Sequence, residues 1–364
     1  MNSNHSLSLR SGAARSIRRP RADARAALAL GLLALWLVGC VTRPDPPLAR
    51  FEFRRPEMGM PFRLVLYAPN PAVAQAAAEA AFARISQLNE IMSDYEDESE
   101  LSRLSRTAGS GRSVPLSPDL WKVLARAQEI STLSDGAFDV TVGPYVNLWR
   151  RARRERELPS PDRLAQAGRA VGYRHLVLDP RTHSAQLLVP HMRLDLGGIA
   201  KGYALEEAIK VVRARGVTRA LITGGGDMMA WDPPPGKAGW RIELAPLDVT
   251  NAPPARFVAL RREALTTSGD LFQRLELGGR RYSHIVDPRT GIGLTDHSLV
   301  TIIARDATSA DGFSKVVSVL GPAAGLRLVA AQPHVAACVV RQPGDRLETQ
   351  ETKGFWRHLE PGRR

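Results

Sequence analysis

The chain has 364 residues, 44% hydrophobic and 24% charged, with two cysteines and a formal net charge of +13. That apolar content excludes a disordered polyelectrolyte, and two cysteines exclude a disulfide-framed scaffold. The basic excess does not mark a nucleic-acid partner: its densest run, Arg150, Arg151, Arg153, Arg154 and Arg156, carries Glu155 and Glu157, lacks interleaved aromatics or glycines, and reads as a solvated surface segment.

Arg10, Arg15, Arg18, Arg19, Arg21 and Arg25 precede an apolar run over 26–38 that leads into Gly39 and Cys40. A basic region, a short apolar region and a small residue before a cut form an export leader. The run falls short of the roughly 20 residues that a spanning helix needs. A cysteine directly after Leu37-Val38-Gly39 resembles a bacterial lipobox. The expectation is a signal peptide over 1–39, lipidation of Cys40 and a Pro-rich tether over 40–50. The protein would then be lipid-anchored at the cell membrane on the periplasmic side, with the inner membrane favoured over the outer.

Beyond the tether, 62–67 alternates as a strand, and 71–88 is Ala-rich with helical spacing. Ser117-Pro118-Asp119 starts a helix that runs to about Leu133. A second helix over 162–171 ends at Gly172. Short strands are expected over 176–178, 185–188, 220–223, 240–244, 257–260 and 299–303. Helices are expected over 202–215 and near 310–320, the last stopping at Gly321-Pro322. The run 335–340 is apolar and β-branched, which makes Cys338 a buried strand residue rather than a reactive thiol. Strands and helices mix without a regular βαβ alternation, so the class is α+β with a mixed or antiparallel sheet. The folded domain is expected over 51–345, followed by a polar C-terminal tail over 346–364.

Polar, glycine-bearing segments interrupt these elements. They are Asp139-Val140-Thr141-Val142-Gly143-Pro144, Asp195-Leu196-Gly197-Gly198-Ile199-Ala200-Lys201-Gly202, Gly224-Gly225-Gly226-Asp227, Thr266-Thr267-Ser268-Gly269-Asp270 and His284-Ile285-Val286-Asp287-Pro288-Arg289-Thr290-Gly291. Glycines let backbone approach a phosphate, and consecutive N–H groups make anion nests. Carboxylates beside them suit a cation on a polyphosphate. Neither a P-loop nor a GxGxxG fingerprint is present. The spacing alone leaves two readings open, a nucleotide site or a set of structural turns.

In this order the segments resemble the ApbE family of FAD:protein FMN transferases. The resemblance also takes in Met58-Gly59, Met92-Ser93-x-Tyr95 with Ser99-Glu100, Asn147-Leu148-Trp149 and Ala310-Asp311, and it runs to about Cys338. It implies a T-fold-like, two-lobed α+β domain. It implies that FAD is bound with Mg²⁺ and that a threonine of a flavin-acceptor protein attacks the FMN-side phosphorus, releasing AMP. A catalytically weakened FAD-binding protein and an FAD pyrophosphatase are the alternatives within the family. Carried over by motif, His284 is the general base, a task that imidazole chemistry suits. Met58, Tyr95, Ala137, Phe138, Asp139, Asp195, Lys201 and Ile285 address the flavin nucleotide. Gly198, through its carbonyl, and Asp311 hold the metal.

One departure stands out. The family reads Asp-x-x-x-Thr on the last helix, whereas this chain reads Asp311-Gly312-Phe313-Ser314-Lys315. An ammonium has no lone pair to give a metal. Two readings remain: Lys315 pairs with Asp311 and replaces the ion's charge, or the metal binds with fewer protein ligands. Ser314, about 100° around the helix, is a poor substitute.

Overall fold

The computed structural model describes residues 47–247, 255–269, 274–344 and 346–360, so Cys40 and Asp270 lie outside the described residues. Among the described residues the strands are β1 (Ala49–Glu57), β2 (Met60–Ala68), β3 (Val114–Pro115), β4 (Leu176–Asp179), β5 (Ser184–Leu187), β6 (Arg219–Gly224), β7 (Asp227–Ala230), β8 (Trp240–Glu243), β9 (Phe257–Leu260), β10 (Glu263–Gly269), β11 (Arg274–Leu277), β12 (Arg280–Ser283), β13 (Ser298–Ala304), β14 (Ala336–Arg341) and β15 (Glu348–Glu351). The helices are α1 (Pro71–Met92), α2 (Glu100–Ser105), α3 (Pro118–Leu133), α4 (Gly143–Glu155), α5 (Pro161–Gly168), α6 (Ala200–Ala214) and α7 (Ala307–Ala330).

Eight strands form one antiparallel sheet in the order β1-β2-β6-β7-β10-β13-β14-β15. Alternation along β2 shows how it is covered. Phe62, Leu64, Leu66 and Ala68 face the main core with α1, α6 and α7, while Val65 points the other way. That second face is sealed by Trp240 and the β8–β9 pair together with Phe355. Both faces being dry explains why β13 reads as an almost unbroken apolar run, Leu299 to Ala304. Capping fixes the helix starts: Asn70 Oδ1 accepts from the Val73 N–H at 3.0 Å, and Ser117 Oγ from the Leu120 N–H at 3.3 Å, each followed by proline at the first helical position.

Leu48–Arg364 is one compact unit of the expected α+β class. Two expectations change. The segment after 346 is no solvated tail: β15 pairs with β14, and Phe355 is fully buried. The helix expected to stop at Gly321-Pro322 breaks there, with Gly321 at φ 72°, ψ 173°, but then resumes to Ala330. Pro322 starts the second stretch, where its missing N–H costs nothing. Cys338 is a buried β14 residue, and burial pushes its thiol up to about 12, as expected for a structural position.

Candidate functional site

The basic run read as a solvated surface segment belongs to α4. Tyr145, Trp149 and Ala152 turn one face of this helix inward. Its entry depends on glycine: a Cβ at Gly143 would stand 2.4 Å from the Arg193 carbonyl oxygen. Only glycine lets this segment run beside the chain leading to Asp195, whose N–H donates to the Val140 carbonyl at 2.8 Å. From α4, the Arg150 guanidinium reaches two carboxylates, donating to Asp94 Oδ2 and, at 3.1 Å, to Asp195 Oδ2. Its Cζ also lies 4.2 Å from the centroid of the Tyr95 ring. Tyr95 is 74% exposed, so Arg150 covers one ring face and most of the side chain stays open to a ligand. Burial and the neighbouring Asp94 carboxylate push Asp195 up, and Arg150 pulls it back. Arg150 is the guanidinium that touches both acids, with Arg193 and the Gly197 N–H adding to the balance at Asp195.

The same helix holds the loop that carries His284. Trp149 Nε1 donates to the Gly291 carbonyl at 2.8 Å, and Trp149 packs on Tyr282 with ring centroids 5.2 Å apart. Gly291 has φ 73°, and a Cβ there would strike the Tyr145 ring at 2.4 Å. Asp287 N–H donates to Ile292 O and Leu294 N–H to Ile285 O, closing the loop on itself. His284 follows β12 directly and is half-buried. Adjacent residues of α4 thus place Trp149 under the histidine loop and Arg150 on Asp195.

A second cluster forms where α6 and α7 cross. A Cβ at Gly202 would lie 2.1 Å from the Ala307 carbonyl oxygen, so the crossing requires glycine. That closeness puts Asp311, fully buried on α7, against the start of α6, where its Oδ2 accepts the Gly202 N–H at 3.1 Å. Its Oδ1 accepts from Lys315 Nζ at 2.8 Å. Lys315 Nζ also lies 3.0 Å from Ser314 Oγ. Lys201, in the first turn of α6, pairs with Asp227, which follows the Gly225-Gly226 hairpin turn and is itself fully buried. Thr266 of β10 faces Asp227 across the sheet. Burial opposes the charge on Asp311, but Lys315, Lys201 and the Gly202 N–H outweigh it and hold the carboxyl below its usual range. Burial likewise works against the Lys201 ammonium, and Asp227 with Asp311 overrides it, raising its pKa. The Asp227 carboxyl is pushed up by burial, with Lys201 opposing, and the Lys201 ammonium sits directly on the carboxylate as an ion pair.

The ApbE family model matches residues 58–339, a span containing every residue of both clusters. The chain belongs to the ApbE family. Among its relatives, the FAD:protein FMN transferase of Klebsiella pneumoniae (strain 342) is 30% identical over 91% of this chain and 96% of its own length. That of Treponema pallidum (strain Nichols) is 31% identical over 79% and 84%. Among solved structures, the apo form of the Pseudomonas stutzeri flavinyl transferase ApbE superposes with a TM-score of 0.77 at 29% identity, covering 88% of this chain and all of the other.

The ApbE motif residues divide by what holds them. Asp195, Tyr95, Lys201, Gly198 and Asp311 belong to the two clusters: Gly198 lies beneath the Lys315 side chain and beside Phe138. Ala137 and Phe138 are buried in the segment leading to α4, and Ile285 is buried next to His284. Met58 occupies the β1–β2 hairpin turn at φ 50°, ahead of Gly59 at 73°. Asp139 is committed to its own loop. Its Oδ1 accepts the Thr141 N–H and hydroxyl, and Oδ2 the Tyr173 N–H, each at 2.7 Å. Arg150 and Asp94 were not foreseen. The signal for Arg150 was the helical spacing of Tyr145, Trp149 and Ala152 inside the basic run.

The donors around Gly198 and Asp311 do not suit a divalent cation. On a diphosphate such an ion keeps several waters and takes one or two carboxylates besides the phosphate oxygens, so the fit turns on what already sits on Asp311. Here an ammonium bonds one Asp311 oxygen and a backbone N–H the other. Ser314 Oγ turns back to the Asp311 carbonyl at 2.7 Å. Asp227 Oδ1 and Thr266 Oγ1 are buried without a hydrogen-bond partner among the described residues. They are two oxygens only, and among the described residues no three acidic, histidine or cysteine side chains converge.

Proposed function

We propose that this chain is an FAD:protein FMN transferase. The observation that carries the reading is the convergence of Lys201 and Lys315 on buried carboxylates at the start of α6. Two fixed cations beside a helix N-terminus suit a diphosphate, and the transferase relatives, matched over nearly their whole length, indicate which one. The exposed face of Tyr95 offers a stacking surface for a flavin or adenine ring. In the reaction, a threonine hydroxyl of the acceptor attacks the FMN phosphorus. The new P–O bond forms as the bond from that phosphorus to the bridging oxygen breaks, and AMP leaves with the bridging oxygen. His284 takes the threonine proton. The lysines offset the charge that builds on the phosphate oxygens.

The test is incubation of the chain with FAD and a threonine-containing acceptor. FMN bonded to the acceptor with AMP in solution supports the reading. Free FMN with AMP makes it a pyrophosphatase, and FAD binding without turnover makes it a carrier.

We also propose that Cys40 carries the lipid anchor, on the motif Leu37-Val38-Gly39-Cys40. The catalytic domain would then stand on the periplasmic side of the inner membrane. Cys40→Ser is expected to abolish incorporation of labelled palmitate and to shift the protein out of the detergent phase. Unchanged labelling would contradict the anchor.

A further inference from the structure

We propose that Lys315, acting with Lys201, supplies as a fixed ammonium the charge that a divalent ion would bring to the diphosphate, so that this site binds FAD without a metal. The proposal rests on the transferase reading only for the identity of the ligand.

Three observations point to it. The first is position. A Cβ built on Gly198 would meet Lys315 Cγ at 3.2 Å, so the lysine stem lies over that glycine and its head reaches Asp311. These are the two residues that the resemblance assigns to the metal. The second is occupancy. Lys315 and the Gly202 N–H each hold one Asp311 oxygen. A cation bound to Oδ1 would meet a like charge 2.8 Å from that oxygen.

The third is spare capacity. An ammonium has three N–H donors, and two of those on Lys315 point at Asp311 Oδ1 and Ser314 Oγ. One donor remains, and the side chain is 15% exposed, enough to meet a ligand at the surface of the cluster while the stem stays fixed. The carboxylates also balance. Asp227 is paired with Lys201 and Asp311 with Lys315, so before a ligand arrives these carboxylates carry no excess negative charge that would draw a metal ion, and the ammoniums meet the diphosphate at hydrogen-bonding distance.

The experiment uses the full chain in detergent. FAD is titrated by fluorescence quenching in chelator and again in Mg²⁺, and Mn²⁺ binding is read by electron paramagnetic resonance with FAD present. The expected result is a dissociation constant that changes less than about fivefold between the two buffers, with no stoichiometric Mn²⁺. Lys315→Thr, which removes the ammonium and uncovers Asp311, is expected to lose about tenfold or more in chelator and recover in Mg²⁺. A wild-type affinity that falls fivefold or more in chelator overturns the proposal, as does one Mn²⁺ held per chain. The wild-type titrations decide the matter even if the variant fails to fold. Tight metal-free FAD binding without FMN transfer would leave the lysine site standing and remove the transferase reading. Absence of FAD binding in both buffers overturns both.

Discussion

Replacing His284 with alanine is expected to lower FMN transfer about 10²–10⁴-fold while FAD affinity stays within a few-fold, the range in which a positioned general base acts. The split follows from where the residue stands. His284 leaves β12 on a loop that Trp149 and Tyr145 of α4 hold in place, and it is only half-buried. The cations that meet the diphosphate are on α6 and α7 instead. Removing the imidazole takes away the acceptor for the threonine proton and leaves those contacts in place. Single-turnover rates and FAD titrations on the same preparation check it. A variant that folds normally but no longer binds FAD would make His284 a binding residue.

Arg150→Met is expected to destabilise the folded site by about 3–5 kcal/mol, as when one partner of a buried ion pair is removed. Arg150 is 20% exposed, and the carboxylates it holds, Asp94 and Asp195, are 12% and 9% exposed. Methionine fills much of the volume but leaves two like charges facing each other. It also frees the Tyr95 ring from the guanidinium, so FAD affinity is expected to fall as well. The pH dependence has a definite sign. The Asp195 carboxyl is pushed up by burial and by Asp94, and losing Arg150 pushes it further. Its ionised form is therefore the destabilising one in the variant. The deficit is expected to be largest above that raised pKa and to shrink as pH falls through it. Adding Asp195→Asn is expected to recover part of the loss at neutral pH. Thermal unfolding of the three proteins at pH 5 and pH 8 checks this; a deficit independent of pH and untouched by Asp195→Asn would show that Arg150 acts through packing alone.

Elements with a strong local signal were legible in the sequence. The strand expected over 257–260 is β9, and the helix opened by Ser117-Pro118-Asp119 is α3, both as expected. In both, local alternation or capping agrees with the tertiary environment. Where the site lies, the two disagree. Thr266-Thr267-Ser268-Gly269 looks like a turn, yet it is most of central strand β10. Its polarity reflects Thr266 facing Asp227 across the sheet, in the second cluster. Gly143-Pro144 looks like a helix breaker but starts α4, because proline in the first turn has no N–H to lose. The arginines that follow hid the inward face of that helix, and with it Arg150. At the C-terminus, Glu348-Thr349-Gln350-Glu351 is too polar to announce a strand. It forms an edge strand whose pairing with β14 is a long-range contact that no local window contains. The Asp311–Lys315 pairing was one of the two outcomes left open by their spacing of four on a helix.

The central claim is that FMN is moved from FAD onto a threonine. Mass spectrometry of an acceptor protein, co-expressed with the wild-type chain and in parallel with His284→Ala, tests it most directly. One FMN on a threonine-containing peptide, present with the wild-type chain and lost or nearly lost with the variant, is the predicted result. An unmodified acceptor alongside wild-type enzyme that binds FAD would contradict it.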